Sequence, residues 1–258
     1  MHLIFSSGSS SGIGEAAARL LSKRGAKITI HGRNKEKLEG VKQMLLQNGS
    51  SPDEVHTVTG DITDPAVREK LVKETVQKFG CIDILWPGAF PYSSFAKVGL
   101  DNFTKFAAAE FGRAGVRVNC VRPGVVVTPA FNAAFPDNSV RKQSLNLCGN
   151  GVHSAESCSA VITFFGVVQK LYNILAPVHK VANTQHLMEG DKTKEAGFLS
   201  SCAKRTLLGF NGAPEDVAEI IAFYASDAAK FLTGDFTCAD GGRYINCNQW
   251  GNNAAAKL

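Results

Sequence analysis

The chain has 258 residues, 44% of them hydrophobic and 20% charged, and its 28 Lys+Arg against 23 Asp+Glu leave a formal net charge of +5. That composition excludes disordered and collagen-like chains. The positive surplus is spread without a basic run longer than a pair such as Lys23-Arg24, which argues against a nucleic-acid partner.

The first half alternates short β-rich runs with amphipathic stretches. Leu3 to Ser6 reads as a strand, and Glu15 to Arg24 as a helix whose Ala17, Leu20 and Leu21 keep a 3.6-residue period until Gly25. Ile28-Thr29-Ile30 is a second strand, followed by a helix on Leu38, Val41 and Leu45 that ends at Asn48-Gly49. Val55 to Thr59 is a third strand, and Asp64-Pro65 opens a helix carrying Val67, Leu71, Val76 and Phe79. Ile82 to Trp86, a helix through Leu100, Phe103 and Phe106, and the strand Val116 to Val121 complete the alternation. Such alternation predicts an α/β fold with a Rossmann-like, doubly wound parallel sheet.

From 139 to 205 the rhythm is lost: Ser, Asn, Gly and Cys mix with an apolar block at Val161 to Val168 and a helix-like stretch at Leu171 to Leu175. Regularity returns at Pro214, with Val217, Ile220, Ile221 and Tyr224 on one helix before a final strand near Thr237. We therefore expect one domain over 1–258 with a large insertion at 139–205. Its His153, His179 and His186 lack ligand-like spacing and read as surface residues.

The seven cysteines (81, 120, 148, 158, 202, 238 and 247) are odd in number and contain no C-x-x-C pair, so neither a disulfide framework nor a metal site is expected. A reducing, cytoplasmic compartment is the simpler reading. Met1 leads into Leu3-Ile4-Phe5 without a basic n-region, so a signal peptide is not expected, and Ala160 to Val168 is too short to span a bilayer. The alternative address is peroxisomal, because Ala256-Lys257-Leu258 is close to the Ser-Lys-Leu tail that a receptor reads.

Ser7-Gly8-Ser9-Ser10-Ser11-Gly12-Ile13-Gly14 lies between the first strand and the first helix, where backbone amides and the helix N-terminus can face a pyrophosphate. Gly-x-x-x-Gly-Ile-Gly in this position resembles the short-chain dehydrogenase/reductase family. The likeness extends to Asp61-Ile62, to Asp101-Asn102-Phe103-Thr104, to Arg117 through Arg122-Pro123-Gly124 and Thr128, and to Ala213 through Ala218 and Thr233-Gly234 through Asp240-Gly241-Gly242. It implies a nicotinamide cofactor held by Gly8, Ser10, Gly12, Ile13, Gly14, Asp61 (toward the adenine), Pro123, Gly124 and Thr128 (toward the carboxamide). At the end of strand two, His31-Gly32-Arg33-Asn34 offers no carboxylate for a ribose hydroxyl but a guanidinium suited to a 2′-phosphate. NADP(H) is therefore expected ahead of NAD(H).

The family's catalytic pair is Tyr-x-x-x-Lys on one helix, with a Ser at the end of the preceding strand and an Asn on the helix before that. Here the matching text is Pro91-Tyr92-Ser93-Ser94-Phe95-Ala96-Lys97, so Tyr92 and Lys97 stand five apart and Ser93 occupies the expected Tyr position. The stretch that would supply the Ser and Asn has no counterpart. Since a parallel crossover needs about a dozen residues, no strand fits between Trp86 and Pro91, and the sheet is either one strand short or recruits a replacement. Val161 to Phe165 has strand-like content that a core helix explains equally well. The insertion reads either as a lid over an enlarged pocket or as a poorly ordered segment, including one that a wrong gene model would introduce.

The resemblance implies hydride transfer between nicotinamide and a small-molecule carbonyl or secondary alcohol, with Tyr92 and Lys97 as the catalytic pair and Lys97 also on the cofactor ribose. The alternative is a catalytically impaired nucleotide-binding scaffold or regulatory protein. A homo-oligomer is compatible with the resemblance, although family contacts often use the absent helix and the one bearing Lys97.

Overall fold

The computed structural model describes residues 3–86, 94–129, 159–163, 199–200 and 202–243. Tyr92, the stretch 171–175, the three histidines of the insertion, and Ala256-Lys257-Leu258 lie outside them.

The chain opens with β1 (Leu3–Ser7), α1 (Gly12–Lys23), β2 (Lys27–Gly32), α2 (Lys35–Gln47), β3 (Val55–Thr59), α3 (Pro65–Phe79) and β4 (Ile84–Trp86). Then come α4 (Ser94–Phe111), β5 (Arg117–Pro123), β6 (Ser159–Thr163), α5 (Pro214–Ala225) and β7 (Phe236–Ala239). Local chemistry explains the boundaries. Asn34 accepts a hydrogen bond from Lys37 N at 2.7 Å to cap α2, and Asp64 accepts from Ala66 N at 2.9 Å with Pro65 at the first helical position of α3. Gly80 ends α3 with a φ of 91°, where a side chain would be strained.

The strands form one sheet in the order β3-β2-β1-β4-β6-β5-β7. Pairs β3-β2, β2-β1, β1-β4 and β5-β7 are parallel, as the alternation predicts. β6 differs: it is antiparallel to both neighbours, with Ile162 opposite Leu85 on one side and Val118 on the other. Of the two alternatives, a sheet one strand short and a recruited replacement, the second holds. The slot between β4 and β5 is filled by residues 159–163 from the insertion, so at 161–163 the strand reading holds over the helical one. A return in the opposite direction needs no crossover helix.

Helices cover both faces. Ala16, Ala17, Ala18 and Leu21 of α1 pack with Val217, Ala218, Ile221 and Ala222 of α5, sharing a core with Ile28, Ile30, Leu38 and Val121. On the opposite face Leu71 meets Val58, Ile82, Ala107, Ala108, Val116 and Val118. Alanines at the α1–α5 contact let the helix axes approach closely. Arg19–Glu215 and Arg24–Glu219 ion pairs flank this contact on the surface, where each contributes at most about 1 kcal/mol. Phe106 is 75% exposed, and the inward side of α4 runs instead through Thr104, Ala107 and Ala108.

Buried polar groups tie α5 and β7 to β5. Arg117 Nη1 donates to Ala229 O at 2.9 Å and Nη2 to Ser226 O at 3.2 Å. Asn119 donates to Leu232 O at 3.0 Å and accepts from Asp235 N at 3.2 Å. Tyr224 donates its hydroxyl to Asp235 and lies against Thr237 Oγ1. Burial and the Asp235 carboxylate push the Tyr224 phenol up to about 12, so this tyrosine stays protonated.

Candidate dinucleotide site and its family

The C-terminal ends of the parallel strands form one edge, the usual place for ligands in a doubly wound sheet. The turn between β1 and α1 is built by glycines. Gly8 and Gly12 take φ of 73° and 62°, and a Cβ on Gly14 would stand 2.3 Å from Gly8 O, inside any real contact distance. Only glycine lets α1 begin so close beneath the turn. The result is a tight turn of glycines and serines at a helix N-terminus, suited to a pyrophosphate. Ile13 is half-buried against the core, and Ser10 packs close to Gly32, where a Cβ would meet it at 3.1 Å.

Ser9, fully buried, fixes the turn to β2: its N–H donates to His31 O at 3.0 Å and its Oγ accepts from His31 N at 3.5 Å. Burial pushes the His31 imidazole below its ordinary value, against a hydrogen bond with the Gly60 backbone and the charge of Asp61. Arg33 follows on the surface at the end of β2. Asp61, after β3, accepts from Thr63 N at 2.9 Å and from Thr63 Oγ1 at 2.8 Å. These bonds hold its carboxyl below the usual range, with smaller contributions from the charges of Arg33 and His31. Arg68 sets this turn from beneath by donating to Ile62 O at 2.9 Å and Thr63 O at 2.8 Å.

At the other end of the edge, Pro123 closes β5 and Gly124 N donates to Ala239 O at 2.9 Å. A Cβ on Gly124 would meet Asp240 Cα at 2.7 Å, so the β5 turn and the turn after β7 touch backbone to backbone. Asp240 Oδ1 accepts from Gly242 N at 2.9 Å, and Gly241 O receives Leu207 N at 2.8 Å. Thr128 comes back to the first turn: a Cβ on Gly12 would lie 3.2 Å from its methyl group. The fold thus gathers Gly8, Ser10, Gly12, Ile13, Gly14, Pro123, Gly124 and Thr128 along one edge, with Arg33 and Asp61 beyond β2 and β3. Lys97 lies in the first turn of α4, while Tyr92 is outside the described residues.

A sequence profile described as short chain dehydrogenase matches residues 3–90, and one described as Enoyl-(Acyl carrier protein) reductase matches 86–165 and 180–243, more than half of the chain. The chain belongs to the short-chain dehydrogenase/reductase family. It is 25% identical over 252 residues to an L-rhamnose 1-dehydrogenase (NAD(P)(+)) of Azotobacter vinelandii, covering 93% of this chain and 95% of the relative. Versicolorin reductase 1 of Aspergillus parasiticus is 27% identical over 256 residues, with 92% and 94% covered. A solved short-chain dehydrogenase/reductase of unknown function from Caenorhabditis elegans superimposes with a TM-score of 0.68 at 22% identity, covering 95% of each chain. As a short-chain dehydrogenase/reductase the protein is an oxidoreductase that uses a nicotinamide cofactor, and the glycine cradle fits one.

Three positioning residues escape sequence reasoning. Ser9 reads only as part of the glycine-rich turn, His31 only as part of the strand end before Arg33, and Arg68 carries no motif beyond lying four residues after the Asp64 cap. Among the described residues no helix is long and apolar enough to cross a membrane, and no three His, Cys, Asp or Glu side chains cluster as metal ligands.

Proposed function

We propose that the protein is an NADP(H)-dependent oxidoreductase acting on a small-molecule carbonyl or secondary alcohol. The observation that carries the cofactor choice is the end of β2, where exposed Arg33 is the first side chain beyond the strand and Asp61 is already engaged by Thr63. A guanidinium there pairs with a phosphate dianion, whereas a ribose diol would call for a free carboxylate. The NAD(P)(+) in the name of the Azotobacter relative agrees with a site of this type.

Gly8, Ser10, Gly12, Ile13 and Gly14 would hold the pyrophosphate side of the cofactor, Asp61 the adenine side, and Pro123, Gly124 and Thr128 the nicotinamide side. The bound nicotinamide supplies or accepts the hydride. Lys97 would bind the adjoining ribose and lower the acidity threshold of the Tyr92 phenol, which gives a proton to the substrate oxygen or takes one from it. An ammonium about 4 Å from a phenolate contributes roughly 4 kcal/mol at an effective dielectric of 20, and less than half of that at about 10 Å, so the five-residue spacing of Tyr92 and Lys97 sets how much is realised.

Titration of NADPH and NADH by fluorescence quenching tests the reading, with Arg33→Ala beside the unmutated chain. NADPH should bind more tightly, and the substitution should erode the preference by about 10- to 150-fold, the worth of a charge-assisted hydrogen bond of roughly 1.5 to 3 kcal/mol. Equal dissociation constants in the unmutated protein would overturn the NADP(H) assignment. NADPH oxidation against small ketones and quinones, with Tyr92→Phe as the comparison, tests the catalytic part.

A further inference from the structure

Several large apolar side chains stay exposed among the described residues, and three of them share one turn. Leu207 is 60% exposed, Leu208 65% and Phe210 54%. A single exposed leucine is ordinary, but a contiguous apolar run marks a surface that something apolar covers. The turn is built rather than loose. Thr206, buried, donates its hydroxyl to Ala203 O at 2.8 Å, lies 3.1 Å from Phe210 O and accepts from Gly209 N at 3.0 Å. Gly209 takes a φ of 79°, which lets the chain reverse there. The hydroxyl of this turn is thus consumed inside it, and the side chains it presents outward are hydrocarbon.

Two sets of hydrogen bonds fix this turn to the loops assigned above to the nicotinamide side. Leu207 N and Leu208 N both donate to Gly241 O, at 2.8 Å and 3.2 Å. A Cβ on Gly242 would stand 2.8 Å from Leu207 Cδ1, so the Leu207 side chain lies over the turn after β7, where Asp240 meets Gly124. On the other side Gly212 N donates to Val125 O at 3.0 Å and Val127 N to Gly212 O at 3.1 Å. This pairs the chain just after Phe210 with the chain just before Thr128, which reaches Gly12. Val127 is itself exposed beside the pairing. The apolar turn therefore borders the stretch from Gly124 to Thr128, beyond the ends of β5 and β7. A substrate reacting there meets leucine, phenylalanine and valine on this side, which bury hydrocarbon but give a hydroxyl no partner.

We propose that Val127, Leu207, Leu208 and Phe210 form an apolar wall of the substrate site, and that the substrate is a carbonyl compound, or the matching alcohol, on a hydrocarbon or aromatic body rather than a polyol. This rests on the carbonyl or alcohol chemistry proposed above and adds the substrate class to it. The wall selects by desolvation. Each methylene that it takes from water favours binding, whereas each sugar hydroxyl laid against it loses its water and gains nothing in return. Selectivity is carried by the exposed side chains, while the buried Thr206 hydroxyl and the reversal at Gly209 hold them in place.

The test uses the full chain loaded with NADPH. Dissociation constants from isothermal titration, and kcat/KM from NADPH oxidation, are measured for 2-butanone, 2-hexanone and 2-octanone, for an acetylnaphthalene and for a ketohexose. Affinity should rise about fourfold per added methylene and place the ketohexose on the order of 10²-fold behind 2-octanone. The acetylnaphthalene arm separates an aromatic body from an aliphatic one. Leu208→Ser and Phe210→Ser, both at exposed positions, should each flatten the rise with chain length, with NADPH affinity held within about threefold and the thermal midpoint unchanged. Leu208→Met and Phe210→Leu should keep the rise, and Phe231→Ser, which removes an exposed ring beyond α5, should leave it as it is. A rise in affinity supports the wall whether or not turnover follows. Carbonyls bound or reduced without regard to chain length, or a preference for the ketohexose, would overturn the substrate class alone, and a rise that survives both serine variants would overturn the wall. A chain that binds NADPH but neither binds nor reduces any carbonyl would overturn the carbonyl chemistry, and the substrate class with it.

Discussion

Gly14 shows how one missing side chain sets the cofactor site. Its Cα lies so near the Gly8 carbonyl that an added methyl group would approach to 2.3 Å, and both groups belong to backbone that cannot swing away. Gly14→Ala should weaken NADPH binding by about tenfold or more, since tenfold needs only about 1.4 kcal/mol and overpacking costs about 1 to 3 kcal/mol. Gly40→Ala is the matching control: nothing lies within 4 Å of its Cβ position in α2, so helix propensity should raise stability by about 0.5 to 1 kcal/mol and leave affinity alone. Isothermal titration and urea melts separate the two outcomes. The glycines were legible in the sequence because their spacing directly after a strand has one backbone consequence. Ser9, His31 and Arg68 were not, because their roles depend on contacts with residues 22 positions away or on carbonyls within a turn, and neither leaves a pattern in composition.

Among the elements, α1 and α5 depend on small residues. Ala17 and Ala18 are wholly buried where the helices meet, beside Val217, Ala218 and Ile221. Ala17→Leu should therefore destabilise the protein by about 1 to 3 kcal/mol through overpacking, read as a lower urea midpoint with an unchanged m-value. Helices and parallel strands were legible because each carries a period of 3.6 or a run of β-branched residues between caps. β6 was half legible. Val161 and Ile162 have strand content, but direction and position come from pairing with β4 and β5, which no local signal encodes. The buried charge at Arg117 had the same limitation: it occupies a strand that reads as apolar, and only the carbonyls of Ser226 and Ala229 explain it.

The whole molecule carries an acid sensitivity that follows from one buried and one half-buried imidazole. Burial lowers the pKa of His31, and of His56 despite its Glu74 partner, so in the window just below the unfolded value of about 6.5 the unfolded chain binds protons that the folded chain does not. Stability therefore falls as pH drops through that window, with His31 contributing up to about 1.4 kcal/mol per pH unit. Asp61, whose carboxyl is depressed, adds its loss only at more acid pH. Urea midpoints at pH 7.5, 6.5 and 5.5 should decline, and His31→Gln should flatten the slope. The reversed strand has a further consequence for assembly of the chain. Four of the seven strands, β3-β2-β1-β4, come from residues before 87, while β5 joins β7 from the end, and β6 is the seam between the two groups. Until residues 159–163 dock, β4 and β5 each present a bare strand edge, the kind of template on which nascent chains join one another. During synthesis β4 waits uncovered for some seventy residues, so productive folding competes with self-association there. Yield on refolding should fall with protein concentration, and a synthetic peptide spanning β6 added in excess should recover it.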